Sequence, residues 1–242
     1  MHDSTIGADF PETTQHTGGR FDVEPHEPEV GSLHQTGRDE DTVNKTGTTT
    51  IGVATEAGVV IATDKRASLG GRFVSNKNVQ KVEQIHPNAA LTLVGSVGGA
   101  QSFIRTLRAE VNLYEARRGE HMSMTALSTL AGNFARGGPF FAINPILGGV
   151  DDEGSHVYSI DPAGGVMKDD YTITGSGLTV AYGTLEDRYE SGMSLDEAER
   201  AAGAGVKAAA ERDTGSGNGI YVARVTDEGV DIDDYDLAEF EA

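Results

Sequence analysis

Residues 46–66 of the chain have the sequence TGTTTIGVATEAGVVIATDKR, and this stretch indicates how the folded domain begins. Two runs rich in β-branched residues, 49–54 and 59–62, are separated by the turn-like residues 56–58. β-branched side chains favour strands, and a polar, glycine-containing break between two such runs favours a turn. We therefore predict two strands joined by a turn at the start of the domain.

The rest of the domain alternates between strand and helix patterns. Apolar residues recur every three or four positions from Phe103 to Tyr114, which predicts a helix that ends near Gly119. Ser194 and Glu197 form a capping box, which predicts the start of another helix. The further predicted helices are residues 127–134, 178–189 and 195–209, and the further predicted strands are residues 91–94, 140–147, 157–160, 220–225 and 230–232. This order of elements predicts an α+β layered domain.

Residues 1–47 differ from this domain in composition. They contain ten acidic and three basic residues, and their sparse apolar residues show neither strand nor helix periodicity. Such a segment buries too little apolar surface to offset the entropy lost on ordering. We predict a disordered leader, in which four widely spaced histidines fit solvated tail residues better than a metal-binding tract.

The overall charge argues against several classes of function. The 242 residues include 38 acidic and 19 basic side chains, for a formal net charge of −19. Because phosphate groups are neutralised by Lys and Arg, this balance argues against binding to nucleic acid or to an anionic membrane. The chain has no Cys, which excludes a disulfide scaffold and a cysteine nucleophile. Many acids with few lysines are typical of proteins that stay soluble in concentrated salt.

Thr48 stands at the boundary between leader and domain, where a threonine can become a nucleophile. A hydroxyl reacts poorly unless a base takes its proton, and a free α-amino group on the same residue has a pKa suited to that role. That amine exists only after the Gly47–Thr48 bond is cut, and Gly47 leaves the carbonyl under attack unhindered. The alternative is that residues 48–50 simply begin an edge strand, which threonine favours.

Lys65, Lys77 and Lys81 lie close together in a chain that has only six lysines. Asp64 follows the second predicted strand and is a candidate partner for one of them. A cation beside a threonine hydroxyl would favour a neutral amine and a more acidic hydroxyl. The alternative is surface ion pairing, which contributes little to stability.

A glycine-rich turn at residues 94–100 separates a predicted strand from a predicted helix. Its backbone N–H groups are candidates for binding an oxyanion. A nucleotide site is the competing hypothesis. It is disfavoured because no Lys-Ser or Lys-Thr pair follows the glycines and the Gly-x-Gly-x-x-Gly pattern is not met.

Two further kinds of motif support other hypotheses less well. Residues 213–216, Asp-Thr-Gly-Ser, match the aspartic-protease tetrapeptide, but they follow a predicted helix and have no second copy to complete a catalytic dyad. Asp213 and Ser216 are better candidates as hydrogen-bond partners of another site. Three acidic runs lack the spacing of an EF-hand, which favours solvated surfaces over calcium sites. These runs are residues 151–153, 169–170 and 231–236.

Taken together, the motifs resemble the β subunit of the archaeal 20S proteasome, of haloarchaeal type by composition, over residues 46–235. The motifs that carry the resemblance are residues 46–50, 63–66, 76–81, 95–101, 158–165, 174–177 and 212–217. The family implies an N-terminal-nucleophile hydrolase with a four-layer αββα sandwich that degrades unfolded proteins as a threonine-type endopeptidase. It implies a peptidase domain at residues 48–242 and, at residues 1–47, a propeptide that is removed autocatalytically.

The resemblance assigns roles residue by residue. Thr48 would be the nucleophile and its α-amine the base, with Lys81 as the buried cation that tunes them and Asp64 as the partner of that cation. The N–H of Gly95 would bind the oxyanion. Self-cleavage would proceed by attack of the Thr48 hydroxyl on the Gly47 carbonyl. The residues implied to hold the amino terminus in place are Ser176, Asp213 and Ser216.

The implied specificity pocket is apolar, which predicts cleavage after hydrophobic residues. The residues matched to its lining are Ala67, Ser68, Val79, Leu93 and Val97. Glu83 maps to the same region and supports an alternative, the admission of basic residues.

The resemblance also implies an assembly. Proteasome α subunits and other β subunits would complete an α7β7β7α7 particle in the cytoplasm, with active sites facing an inner chamber and an ATPase ring feeding it. No cofactor and no metal are expected. One alternative is the bacterial two-ring relative, whose mature chain is shorter and usually lacks a long leader. Another is a catalytically silent ring subunit, which the presence of Thr48, Asp64 and Lys81 disfavours.

Overall fold

Two antiparallel sheets of five strands each form the middle of the domain in a computed structural model that describes residues 47–137 and 142–241. The strands of the first sheet are β1 (Thr49–Thr55), β2 (Gly58–Asp64), β10 (Tyr171–Gly175), β11 (Ile220–Thr226) and β12 (Gly229–Tyr235). Their order in space is β10-β1-β2-β11-β12, so the predicted first two strands lie at the centre of this sheet. In the register of the β1–β2 hairpin, Thr50 lies opposite Thr63.

The second sheet has the order β5-β6-β7-β8-β9. Its strands are β5 (Val82–His86), β6 (Ala89–Thr92), β7 (Ile146–Asp151), β8 (Gly154–Ile160) and β9 (Val166–Asp169). A separate short hairpin, formed by β3 (Ala67–Leu69) and β4 (Phe73–Asn76), connects the two sheets along the chain.

Four helices within the described residues cover the outer faces of the sheets. Helices α1 (Val97–Arg118) and α2 (Met124–Gly137) pack on the second sheet, around Phe103, Leu107 and Leu127. Helices α3 (Leu178–Glu186) and α4 (Leu195–Arg212) pack on the first sheet through small side chains such as Ala202 and Val206. A third apolar cluster, which includes Ile61, Ile146 and Val157, lies between the two sheets. The predicted α+β fold, with four layers in the order αββα, is confirmed.

The predicted end of α1 and the predicted capping box of α4 both form, and α1 has a further cap at its start. Ser96 caps α1 by accepting a hydrogen bond from the N–H of Gly99, and α1 ends at Gly119, whose φ of 71° is a left-handed conformation that favours glycine. Both hydrogen bonds of the capping box between Ser194 and Glu197 are present at the start of α4.

Several predicted boundaries are wrong. The strand predicted at residues 140–147 begins only at Ile146, because residues 142–145 form a connection in which Ala142 has a φ of 60° and Ile143 bridges to Gly95. The part of that prediction at residues 140–141 lies outside the described residues. The third helix ends at Glu186 rather than at residue 189, and the strand predicted at residues 91–94 is β6, which ends at Thr92.

Five strands in the described part of the chain were not predicted: β3, β4, β5, β9 and β10. Three of them are only three or four residues long, and β4 and β9 are mostly exposed, so they lack the apolar alternation by which strands are recognised. The predicted disordered leader lies outside the described residues, apart from Gly47, and stays a prediction. None of the helices in the described ranges is long and apolar enough to cross a membrane.

Candidate active site

Thr48 immediately precedes β1 and is 1% exposed. Its hydroxyl Oγ1 lies 2.5 Å from Nζ of Lys81, which directly precedes β5 in the other sheet. The packing of the two sheets therefore brings the predicted nucleophile and the predicted cation into contact across 33 positions of sequence. Of the three clustered lysines, Lys81 is the one at this position.

Asp64 ends β2 and anchors this arrangement with a fully buried carboxylate. Its Oδ1 accepts hydrogen bonds from Nζ of Lys81 at 2.7 Å and from the N–H of Thr49 at 3.0 Å. Its Oδ2 accepts from the N–H groups of Arg66 and Gly217, both at 2.9 Å. The hydrogen bonds from these donors offset the cost of burying the carboxylate. The carboxylate in turn holds the ammonium group of Lys81 against Thr48.

Burial dominates the electrostatics of the pair. Desolvation lowers the pKa of Lys81, and the nearby Asp64 carboxylate opposes that shift. Desolvation likewise raises the pKa of Asp64, against the opposing effects of Lys81 and the backbone donors. A lysine whose pKa is lowered can exchange a proton with a neighbouring hydroxyl more readily than one on the surface can.

The other side of Thr48 faces a chain of hydroxyl groups. The N–H of Thr48 donates to Oγ of Ser176 at 3.1 Å, and Ser176 donates to Oδ2 of Asp213 at 2.6 Å. Ser216 donates to the same Oδ2 at 2.6 Å, and its Oγ lies 2.7 Å from Oγ1 of Thr49. The three residues expected around the amino terminus therefore lie together, and Thr49 joins them.

Gly95 lies in the connection between β6 and α1, where it lines the same cavity as Thr48. Its φ is 94°, and a Cβ at this position would collide with the carbonyl of Ala142. Only glycine suits this conformation and this close approach. The expected oxyanion residue and the expected nucleophile thus line one cavity.

A cavity of about 280 Å³ opens next to Thr48. Its apolar lining includes four of the five predicted pocket residues: Ala67, Val79, Leu93 and Val97, joined by Ala100 and Ile104 from α1. Ser68, the fifth, is not among the lining residues; it is buried, and its Oγ accepts from the N–H of Gly47 at 3.3 Å.

Charged side chains complete the cavity. Glu83 of β5 lines it, as predicted, but its Oε2 is 2.8 Å from Nη2 of Arg108 on α1. Arg105 and Gln101 lie on the same face of the helix. These α1 residues were not predicted as part of the pocket, although positions 101, 104, 105 and 108 have the spacing of a single helix face. Contact with Arg108 offsets the negative charge that suggested a site for basic residues.

The remaining predicted motifs lie in structural roles. Lys65 is buried, with Nζ 5.0 Å from the ring centre of Tyr221 and paired with Asp234, whereas Lys77 is exposed. Asp213 is the C-cap of α4, and its hydrogen bonds with Ser176 and Ser216 agree with the hypothesis that Asp213 and Ser216 support another site. From the acidic run 151–153, Asp151 accepts from the N–H of Met124 at 2.7 Å and so caps α2.

One group of described side chains, His86, Glu115 and His121, has the composition of a metal site. Each histidine places a ring nitrogen 2.7 Å from Oε1 of Glu115. The N–H of Asn88 donates to Nδ1 of His86 at 3.2 Å, which requires the ring proton to be on Nε2. A metal on Nε2 would force that proton onto Nδ1, against the N–H of Asn88. The group therefore fits a hydrogen-bonded anchor between β5 and α1 better than a metal centre.

Comparison with known proteins places this geometry in a family context. Residues 44–225 match the family model described as "Proteasome subunit". The chain is 75% identical over 240 residues to proteasome subunit beta 1 of Haloarcula marismortui, with 99% of each chain covered. It is also 75% identical over 219 residues to proteasome subunit beta of Natronomonas pharaonis, covering 89% of this chain and 92% of the relative. Proteasome subunit beta 1 of Haloterrigena turkmenica is 74% identical over 214 residues, covering 87% and 88%.

Proposed function

Because the chain belongs to the proteasome subunit family, we propose how its site carries out the activity of a proteasome β subunit. The chain is a β subunit of the 20S proteasome and a threonine-type endopeptidase. We assign Thr48 as its nucleophile. The observation that carries this assignment is the 2.5 Å contact between Lys81 Nζ and Thr48 Oγ1, in a buried position where Asp64 also binds the lysine. A buried cation stabilises the alkoxide form of the hydroxyl.

Self-cleavage comes first in the proposed sequence of events. In the uncut chain the nitrogen of Thr48 is an amide and cannot act as a base, so a neutral Lys81 takes the hydroxyl proton. Oγ1 attacks the carbonyl carbon of Gly47, the C–N bond breaks, and the proton passes to the leaving nitrogen. Water then hydrolyses the resulting ester, which releases residues 1–47 and leaves Thr48 with a free α-amine and a free hydroxyl.

The mature site uses the same atoms on a substrate peptide. The α-amine of Thr48, next to Ser176, takes the proton of Oγ1, which attacks the substrate carbonyl to form an ester. The proton leaves with the amine product, and water hydrolyses the ester. We propose that the N–H of Gly95, which lines the cavity with Thr48, stabilises the oxyanion that forms in each step.

The pocket favours hydrophobic residues on the amino side of the cleaved bond. Its walls are aliphatic, and the carboxylate of Glu83 is paired with Arg108 while Arg105 adds positive charge. A lysine or arginine side chain entering this cavity would be repelled by Arg105 and would find Glu83 already engaged. The preference is therefore for apolar side chains over basic ones.

The chain assembles with other proteasome subunits, as membership of the family requires. We propose the α7β7β7α7 arrangement in the cytoplasm, with the Thr48 sites inside and unfolded proteins as substrates. Enclosing the Thr48 sites in a chamber keeps folded proteins away from them, and an ATPase ring would supply the unfolded chains. A formal net charge of −19 supports a particle that works in concentrated salt.

Intact mass tests the nucleophile and the self-cleavage together. The full chain is purified with α subunits from high salt, beside Thr48→Ala and the surface control Thr129→Ala, whose hydroxyl is exposed on α2. We expect wild type and Thr129→Ala to begin at Thr48, and Thr48→Ala to retain residues 1–47 and to be inactive. Cleavage of Thr48→Ala at the same bond, or peptidase activity from an uncut wild-type chain, would contradict the proposal.

Freeing Glu83 tests the specificity. Arg108→Met removes the partner of Glu83, and we expect cleavage after lysine to rise about tenfold relative to cleavage after leucine. The double variant Glu83→Gln, Arg108→Met should lose that gain, and Arg117→Met at the end of α1 is the control. Measured on matched fluorogenic peptides, an unchanged ratio in Arg108→Met would mean that Glu83 does not face the substrate.

A further inference from the structure

Gly47 and Gly215 lie face to face at the bond to be cut. A Cβ added to Gly47 would collide with the Cα of Gly215, and a Cβ added to Gly215 would collide with the Cα of Gly47. The added Cβ of Gly215 would also lie 3.0 Å from the carbonyl carbon of Gly47, the atom that Oγ1 of Thr48 attacks. Because both residues are glycine and have no side chain, the scissile peptide has room to lie at this position.

Gly215 has no conformational need to be glycine. It is not among the described glycines with a positive φ, so its backbone accepts alanine without strain. Apart from Gly47, the close neighbour of its added Cβ is Oγ of Ser176, at 2.9 Å. The contact with the uncut leader is the main structural reason for a glycine here.

The segment that carries Gly215 cannot easily move aside. The N–H of Gly215 donates to Oδ1 of Asp213 at 3.2 Å, and the carbonyl of Thr214 accepts from Nη1 of Arg66 at 3.1 Å. On the other side, the N–H of Gly217 is bound to buried Asp64. A side chain at position 215 would therefore displace the scissile peptide rather than the loop.

Hydrogen bonds hold the backbone on both sides of the carbonyl carbon of Gly47. The N–H of Gly47 donates to Oγ of Ser68 at 3.3 Å, and the N–H of Thr48 donates to Oγ of Ser176 at 3.1 Å. Displacing the peptide from Gly215 would strain these bonds and move the carbonyl carbon away from Oγ1. Displacements of about 1 Å in a reacting group can cost about a hundredfold in rate.

We infer that Gly215 is a positioning residue for self-cleavage, acting through its contact with Gly47 and not on the chemistry of Thr48. This inference rests on the proposed self-cleavage at the Gly47–Thr48 bond. Once that bond is cut, Gly47 leaves with the leader and the contact no longer exists. Gly215 therefore affects the maturation of the subunit much more than the peptide hydrolysis that follows.

The test compares the rate of processing with the activity of each processed site. Gly215→Ala in the full chain is assembled with α subunits, beside wild type and the control Gly183→Ala, a glycine on α3 whose added Cβ meets nothing within 4 Å. Processing is followed by intact mass, and processed sites are titrated with a peptide epoxyketone, which reacts with the N-terminal threonine. We expect processing of Gly215→Ala to slow about a hundredfold while activity per titrated site stays within about tenfold of wild type.

Two results would overturn the inference. One is processing of Gly215→Ala at the wild-type rate. The other is an equal loss of processing and of activity per site, which would mean that residue 215 acts through Ser176 on the catalytic centre itself.

A second variant covers a failure of Gly215→Ala to assemble. Gly47→Ala leaves every residue of the mature domain unchanged and closes the same gap from the leader side, so it should also accumulate precursor. Normal processing of Gly47→Ala would overturn the inference. The proposed self-cleavage fails separately, in a wild-type chain that stays uncut or in a Thr48→Ala chain that is cut.

Discussion

The two sides of Thr48 are held by different kinds of interaction. On the hydroxyl side, Lys81 and Asp64 are 3% and 0% exposed and are joined by an ion pair of 2.7 Å. On the nitrogen side, Ser176 is exposed and Asp213 half-buried, and the bonds run through hydroxyl groups. One side is a dry ionic cluster between two sheets, and the other is a wetter chain of hydrogen bonds on two loops.

This difference teaches how each side contributes. In a buried ion pair, removing one partner leaves an uncompensated charge, so the hydroxyl side couples catalysis to stability. Hydrogen bonds in a partly exposed chain can be replaced by water at small cost, so the nitrogen side tunes orientation. Variants on the hydroxyl side should therefore lose activity and stability together. Variants on the nitrogen side should lose activity with less change in stability.

The largest effect is expected from Lys81→Met. It should block self-processing, in which Lys81 takes the hydroxyl proton, and lower the hydrolysis of a peptide amide by at least about a thousandfold. It should also destabilise the chain by about 3–5 kcal/mol, because Asp64 stays buried and unpaired. The double variant Lys81→Met, Asp64→Asn should recover stability but not activity. Thermal unfolding and kinetics measure both, with exposed Lys77→Met as the control, and near-normal turnover in Lys81→Met would remove the assigned role.

The next effect is expected from Ser176→Ala on the nitrogen side. It breaks the link between the N–H of Thr48 and Asp213, so we expect kcat/KM to fall by about tenfold to a hundredfold through poorer orientation of the amine. Stability should change by less than about 0.5 kcal/mol, because the side chain is exposed. Ser191→Ala is a matched exposed control. A loss of stability as large as that of Lys81→Met would erase the distinction between the two sides.

The pH dependence of self-processing sharpens the comparison further. Protonated Lys81 cannot take the hydroxyl proton, so processing should slow as the pH falls through the pKa of Lys81, which burial lowers from its ordinary value. Asp64 raises that pKa, so Asp64→Asn should move the midpoint of the profile to lower pH. Ser176→Ala should leave the midpoint unchanged. Intact mass over a pH series measures the rate of precursor loss. An equal shift of the midpoint in both variants would contradict the assignment of Lys81 as the base.

The smallest effect is expected from Thr49→Val, which removes the buried hydroxyl bound to Ser216. A lost buried hydrogen bond should cost about 1–2 kcal/mol, and the loosened support of Asp213 should lower kcat a few-fold. Thr50→Val is the matched control, since it breaks a buried bond to Oγ1 of Thr174 at 2.9 Å. It should cost similar stability and leave kcat unchanged. Equal kinetics for the two variants would place Thr49 outside the functional network.

Parts of the site follow from local sequence. Thr50 pairs with Thr63 in the β1–β2 hairpin, so Asp64 at the end of β2 lies opposite Thr49 and next to Thr48. A hairpin with a short turn has a register that its residues determine, which makes this proximity predictable. The glycine-rich turn before α1 and the caps of α1 and α4 were predictable for the same reason, because their partners are a few residues apart.

Other parts required contacts that no local pattern encodes. Glu83 suggested a pocket for basic residues, and only the packing of α1 on β5 shows that Arg108 engages it. Ser68 was expected in the pocket and instead contacts Gly47. The strand expected at residues 140–147 starts late because Ile143 pairs with Gly95, far away in sequence.

The sequence by itself determined the family, the central hairpin, the presence of the helices, the capping box of α4, and a short set of candidate residues around Thr48. Only the tertiary structure placed Lys81 in contact with Thr48, paired Glu83 with Arg108, and set Gly47 against Gly215. The physical reason is range: periodicity, capping and turn chemistry report contacts between residues a few positions apart. The packing of one sheet on the other, and of loops on both, decides which distant groups share a dry site, and their charges and reactivities depend on that environment.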